Sequence, residues 1–213
     1  MILCDIGNTY IHFCDKYRIW KNQPERIDKE KLYADIYYIS VNAENEKKLL
    51  KAYKNSYNIA KIIEFDTSYE GLGIDRKAAC LGVNDGVVID AGSAITVDVM
   101  HEGKHQGGYI LPGLVTYTKA YKQISSALDK QINFGISLEE MPLDTRSAIS
   151  FGMLKSIVSC IGDTIRDKKA YFTGGDGKFL AKFFKESIYN EMLVFNGMQI
   201  SIDRALNKHK EKE

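Results

Sequence analysis

The sequence predicts an α/β protein made of two halves of one design, each a mixed β-sheet flanked by helices. Three observations predict it. Short β-prone runs alternate with amphipathic stretches along the whole chain. Two apolar runs, Ile2–Cys4 and Gly86–Ile89, both lead into Asp-x-Gly, then a small amide or hydroxyl residue, then a second apolar run. Each of these openings heads a β-meander that helical sequence follows, which points to a duplicated domain.

The elements follow in order. Ile2–Cys4, Tyr10–Phe13 and Tyr17–Trp20, broken by Gly-Asn and Asp-Lys, are expected strands of the first meander. Ala34–Val41 and Lys61–Phe65 are expected short strands around a surface helix over Glu44–Tyr53. The domain boundary is expected near Gly82–Gly86, giving an N-terminal domain over 1–84 and a C-terminal domain over 85–213. In the second half, Gly86–Ile89, Val97–Met100 and Gln106–Leu111 are strands, with a turn at His101–Gly103 and a stop at Pro112. Val115–Leu128 and Ser147–Ile165 have the length and spacing of amphipathic helices. Ala170–Phe172 is a strand stopped by Thr173-Gly174-Gly175. Asp176–Glu186 is then a helix, Met192–Phe195 a strand and Gln199–Asn207 a last helix.

Composition narrows the function classes. Of 213 residues, 45% are hydrophobic and 27% charged, the balance of a globular protein with room for one large domain or two small ones. A net charge of +1 supplies no global field to draw the chain to nucleic acid or an anionic membrane, so neither is expected as a partner. Met1–Asp5 carries no basic leader, and no uninterrupted apolar run reaches the ~18 residues of a membrane helix, so a cytoplasmic location is expected. Cys4, Cys14, Cys80 and Cys160 lie far apart and are expected as buried free thiols, without the close pairs of a zinc knuckle or redox motif. Lys208–Glu213 has the character of a solvated end.

The chemistry is expected at the repeated turns. In Asp5-Ile6-Gly7-Asn8-Thr9, Gly7 lets the backbone approach an anion, while Asn8, Thr9 and backbone N–H groups can donate to phosphate oxygens. A bare Asp5 carboxylate repels phosphate, so its presence makes sense with a divalent cation between them, held directly or through water. A ligand-free Asx-type hairpin turn is the alternative. Asp90-Ala91-Gly92-Ser93 repeats the device, with Asp90 for a cation and Ser93 as a phosphate donor; the pair argues for ligands more strongly than either copy. The two turns are expected to meet across one crevice.

Gly73-Ile74-Asp75-Arg76 precedes a helix start at Lys77. An anionic ligand would suit the backbone N–H groups and the guanidinium, with the Asp75 carboxylate then available as a base. A helix-capping Asp beside a solvated Arg explains the same residues without a ligand. Gly107–Leu114 and Thr173-Gly174-Gly175 allow close backbone approach, the latter to a base or ribose, and plain tight turns serve equally well. His101 and His105 flank hairpin-turn chemistry, so their spacing does not make a metal pair.

Taken together and in order, Asp5–Thr9, Gly73–Arg76, Asp90–Thr96, Gly107–Gly113 and Thr145–Gly152 make the chain resemble the type III pantothenate kinases, over most of its length. The resemblance implies two ribonuclease H-like domains of the actin-like ATPase type, assembled as a homodimer. It implies ATP-dependent phosphorylation of pantothenate, with magnesium and a monovalent cation, potassium or ammonium. By position in the motifs, Asp75 would be the catalytic base; Tyr69, Gly73, Ile74, Asp75, Arg76 and Thr145 would bind pantothenate. Asp5, Ile6, Gly7, Asn8, Thr9, Tyr10, Ile11, His12 and Ser93 would hold ATP. Asp90 would bind the monovalent cation and Asp5 the magnesium, through water if not directly. Ser93 stands where the family more often has Thr, which keeps the hydroxyl. Two rival functions remain: another small-molecule kinase of this superfamily, and a non-catalytic transcriptional accessory factor on the same fold.

Overall fold

The computed structural model describes residues 1–29 and 32–210. Two compact units make up the chain, and neither is one stretch of sequence. The first gathers Met1–Asn84, Met100–Gly107 and Glu191–Glu213; the second gathers Asp85–Val99 and Gly108–Asn190. Relative to a division at 84/85, the last helix and one hairpin tip lie with the first unit.

The first unit is built on β1 (Ile2–Ile6), β2 (Ile11–Cys14), β3 (Ile19–Asn22), β4 (Ile36–Ser40) and β5 (Ser56–Asn58), with α1 (Ala43–Ala52) and α2 (Ile74–Leu81). Its five-stranded sheet has the order β3-β2-β1-β4-β5. The meander β1-β2-β3 pairs antiparallel, while β4 joins β1 and β5 in parallel. Period-two alternation assigns the faces. Ile2, Cys4, Ile6, Ile11, Phe13, Ile36 and Tyr38 form one core with Leu49 of α1. Leu3, Asp5, His12 and Cys14 have the opposite parity, and Cys14 Sγ lies 3.8 Å from Met192 Sδ on that side.

The second unit carries β6 (Gly86–Ala91), most of β7 (Ala94–His101) and β8 (Lys104–Pro112), α3 (Leu114–Ile124), α4 (Thr145–Ile165), β9 (Ala170–Thr173), α5 (Gly177–Leu180) and β10 (Ile188–Tyr189). Its sheet has the order β10-β9-β6-β7-β8. The α4 helix is long and apolar enough to cross a membrane by length and composition. Its Met153, Leu154, Ile157, Ile161 and Ile165 instead pack on Val87, Ile89 and Phe172 in the core of this unit. Each such buried aliphatic side chain contributes about 1.5–3 kcal/mol of transfer free energy. The four cysteines are free; Cys160 is half-buried and the others buried.

Three segments differ from expectation. Lys61–Phe65 is not a strand: Asn58 Oδ1 accepts the Ala60 N–H at 2.9 Å and coils Ala60–Ile62 into a 3-10 turn, the paired strand being Ser56–Asn58. Met192–Phe195 is not a strand either, but leads into α6 (Leu193–Lys210), its first turn closed by Asn196 N–H to Met192 O at 2.7 Å. Leu193, Val194, Met198 and Ile202 are buried at helical spacing, a pattern a short apolar run does not reveal. Asp176–Glu186 is broken into the short α5, a 3-10 turn over Ala181–Phe183 and Glu186 at φ 59°. The α6 helix packs on α2, where a Cβ on Gly197 would strike the backbone of Ala78. The solvated end expected over 208–213 lies from 211 onward outside the described residues, and Lys208–Lys210 belong to α6.

Candidate active site

Asp5 is the next-to-last residue of β1, and its Cα partners are His12 on β2 and Ile39 on β4. The turn itself is Gly7–Tyr10, closed by Gly7 N–H to Tyr10 O at 3.1 Å. Asn8 and Thr9 are exposed at its tip. Two residues that the sequence motifs do not single out support it from α1. Asn42 caps that helix by accepting the N–H groups of Glu44 and Asn45, and donates its side-chain amide to Asn8 Oδ1 at 3.0 Å. Asn45, buried, donates to Gly7 O at 2.9 Å and Asn8 O at 3.3 Å. The capping pattern Asn-x-x-Asn is visible in the sequence; its tertiary target is not.

Ile11 and His12 lie in β2, Ile11 wholly buried in the core. His12 pairs with Lys21 across β3, and Lys21 Nζ sits 4.4 Å from the centre of the Tyr10 ring. Burial foremost, then the Lys21 ammonium, pull the His12 pKa down to about 4. The imidazole is therefore neutral at neutral pH.

Gly73 is the N-cap of α2, with Ile74, Asp75 and Arg76 in the first turn. Asp75 Oδ1 accepts the Arg76 N–H at 2.8 Å, and a Cβ on Gly73 would fall 2.5 Å from that oxygen. A side chain at 73 would push that carboxylate aside, so glycine leaves it room to fold over the helix start. Arg76 is only 6% exposed, and its guanidinium lies 5.0 Å from the Tyr69 ring centre. A buried cation on an aromatic face, beside a carboxylate, can bind an anionic group and hold a base next to it.

In the second unit, the turns at Gly174 and Gly113 pack on the stretch from Asp90 to Ser93, Gly174 on Asp90 itself. Asp90 occupies the end of β6, opposite Thr173 of β9. Gly174, at φ 82°, packs so closely that a Cβ would strike the Asp90 carboxylate and lie 2.5 Å from Ala91 O. Asp176 N–H donates to Ala91 O at 2.9 Å. Ser93, exposed, accepts through its carbonyl from Gly113 N–H at 3.1 Å and Thr116 Oγ1 at 2.8 Å. The start of α3 is therefore fastened to the Gly92-Ser93 loop. Thr145 is the exposed first residue of α4, whose N-cap Asp144 accepts the Ser147 N–H at 3.0 Å.

The structure thus groups Asp5–His12 and Tyr69–Arg76 in the first unit, and Asp90, Ser93 and Thr145 in the second. A cleft of about 660 Å³ in the first unit is lined by Phe65, Asp66, Leu81, Asn84, Gly103 and Arg204 among others, none of them an expected site residue. Volume alone does not locate chemistry, and the glycine-enforced contacts around Asp75 and Asp90 are the stronger indication. Among the described residues no three His, Cys, Asp or Glu side chains are grouped to hold a metal ion.

Paired mixed sheets with acidic strand ends define a duplicated ribonuclease H-like fold of the actin-like ATPase class. A Sinorhizobium meliloti structure described as a 2-dehydro-3-deoxygalactonokinase shares that fold at a TM-score of 0.57, covering 94% of this chain and 95% of its own, at 7% identity. The profile of the type III pantothenate kinase family matches residues 12–167. The type III pantothenate kinase of Helicobacter hepaticus is 52% identical, over 97% of this chain and all of its own length. A Campylobacter jejuni structure, described within a Baf family of transcriptional activators, superposes with a TM-score of 0.86 at 44% identity, covering 97% of this chain and 100% of its own. The chain belongs to the type III pantothenate kinase family.

Proposed function

We propose that this protein transfers the terminal phosphoryl group of ATP to the primary hydroxyl of pantothenate, giving 4'-phosphopantothenate and ADP, the first step of coenzyme A biosynthesis. The observation that carries this reading is the first turn of α2. There Asp75 and the buried Arg76 stand side by side, in a chain 52% identical to a type III pantothenate kinase.

In this reading the Arg76 fork binds the pantothenate carboxylate, with Tyr69 and the Gly73-Ile74 backbone completing the pocket. Thr145 is assigned to the same substrate by its place in the family motif. Asp75 orients the hydroxyl and accepts its proton as the new oxygen–phosphorus bond forms and the bond to the ADP oxygen breaks. A loose transition state makes that proton leave late, so a carboxylate suffices as base.

The Gly7–Tyr10 turn and Ser93 are assigned to ATP, their donors meeting negative charge on the phosphates. Magnesium would arrive with the nucleotide, Asp5 reaching it directly or through water. Asp90, on which Gly174 packs, is assigned to a monovalent cation, potassium or ammonium. Bound there, the cation would supply positive charge near the developing phosphate charge.

Ile110, Val115, Ile124, Phe134, Met141 and Leu143 of the second unit are exposed, Leu143 fully. A homodimer is assigned by the family resemblance, with these exposed side chains as candidates for its interface. A cytoplasmic enzyme with neither nucleic acid nor membrane as partner fits the net charge of +1. A regulatory role is the second reading, favoured by the description of the Campylobacter structure. A coupled ADP-release assay with pantothenate, run in sodium and in potassium, tests the proposal. Pantothenate-dependent ADP release stimulated by potassium is expected; DNA binding without any such turnover would select the regulatory role.

A further inference from the structure

His105 stands outside every site motif, yet it is only 4% exposed and packs on the segment that carries Tyr69. Its Nδ1 lies 2.8 Å from Thr67 Oγ1, and Thr67 Oγ1 also accepts the Tyr69 N–H at 3.0 Å. Its own backbone N–H donates to Asp66 O at 3.2 Å, so Thr67 and His105 form a bridge. The imidazole packs with the Phe65 ring at 5.8 Å and the Tyr69 ring at 6.0 Å. Tyr69, 38% exposed, in turn carries the Arg76 guanidinium on its face.

A tyrosine on a glycine-flanked loop has two side-chain torsions to lose on ordering. Here one hydroxyl holds its backbone and one buried imidazole holds its ring. We propose that His105, acting with Thr67, is a positioning residue: it fixes the Tyr69 ring and thereby the Arg76 guanidinium in the orientation that receives the pantothenate carboxylate. The inference rests on the pantothenate reading of α2. His105 reaches its effect through Tyr69 and takes no proton from the substrate. A space-filling role alone would be served by any apolar ring; the hydrogen bond to Thr67 would then be dispensable.

The experiment measures KM for each substrate and kcat in Thr67→Val, His105→Phe, His105→Asn and the double variant Thr67→Val/His105→Phe. Pantothenate KM is expected to rise about tenfold in Thr67→Val and His105→Phe, with ATP KM and kcat within about twofold. His105→Asn, whose amide can still meet the Thr67 hydroxyl, should recover most of that loss. The double variant should be no worse than Thr67→Val, because losing the Thr67 hydroxyl already removes the bond to His105 along with the one from the Tyr69 N–H. Thr67→Val removes a single hydroxyl from a half-buried side chain, so it carries the test if His105→Phe does not fold. An unchanged pantothenate KM in a folded Thr67→Val protein overturns the proposal, as does an equal rise in both KM values. Wild-type protein without pantothenate-dependent ADP release overturns the functional reading and this inference together; active wild type with unaffected variants overturns the inference alone.

Discussion

Asn45 donates its buried side-chain amide to the carbonyl oxygen of Gly7, 2.9 Å away, and so fastens helix α1 to the turn assigned to ATP. The same nitrogen lies 3.3 Å from Asn8 O. Two carbonyls of one turn are thereby held back, which leaves the N–H side of the turn to face a phosphate.

Asn45→Ala should therefore raise ATP KM by tenfold or more and leave pantothenate KM alone. Losing a buried donor that serves two carbonyls should also cost about 1–3 kcal/mol of stability. Substrate titrations with thermal melts on the same samples check both. A variant that lost stability but kept its ATP KM would reduce Asn45 to a structural tether between α1 and the turn.

Asp75→Asn isolates chemistry from folding. The amide oxygen can still accept the Arg76 N–H that Asp75 Oδ1 now accepts at 2.8 Å, so the start of α2 should stay intact. Turnover should fall about 10²–10⁴-fold, the range of a lost general base, with stability near wild type. Undiminished turnover would remove Asp75 from that role.

Gly174→Ala tests the cradle around Asp90. The position has φ 82°, and a Cβ would lie 2.5 Å from Ala91 O. A left-handed conformation costs an alanine about 1–2 kcal/mol before any clash. Potassium stimulation should be lost together with that stability. Gly175→Ala is the control: its Cβ would meet nothing within 4 Å, and it should behave as wild type.

Much of this arrangement was legible in the sequence because it is local. Alternating residues such as Cys4, Ile6, Ile11 and Phe13 gave strands, and the recurrence of Asp-x-Gly at Asp5 and Asp90 gave the duplication. The sequence around Gly73–Arg76 points to a helix beginning at Lys77, three residues after the observed start at Ile74, and the ordered motifs give the family. What was hidden depends on contacts between distant residues. Leu193–Phe195 has the composition of a strand, and only the facing surface of α2, with Ala78 against Gly197, makes it a helix of the first unit. Asn45 is an ordinary helix residue until Gly7 folds beside it. The hairpin spacing of His105 says nothing of its partner, because Thr67 is a bridge away on another segment.

His12 predicts a pH dependence with a definite sign. Its pKa falls from 6.5 to about 4, through burial first and the Lys21 ammonium second. Above 6.5 the folded and unfolded chains both hold it neutral, and it contributes no slope. Between 6.5 and 4 the unfolded chain takes up a proton that the folded chain refuses, so stability falls with pH by up to about 1.4 kcal/mol per unit. Below 4 both states are protonated and the slope from this group ends. Urea melts of wild type and His12→Gln from pH 4 to 7 should therefore diverge on acidification, with the variant the less sensitive to acid, because subtraction removes the carboxylates common to both. Lys21→Met should move the imidazole titration, followed by NMR, upward from about 4 without restoring 6.5, since burial remains the larger cause. Parallel stability curves for wild type and His12→Gln would mean that the imidazole titrates as freely in the folded protein as in the unfolded one.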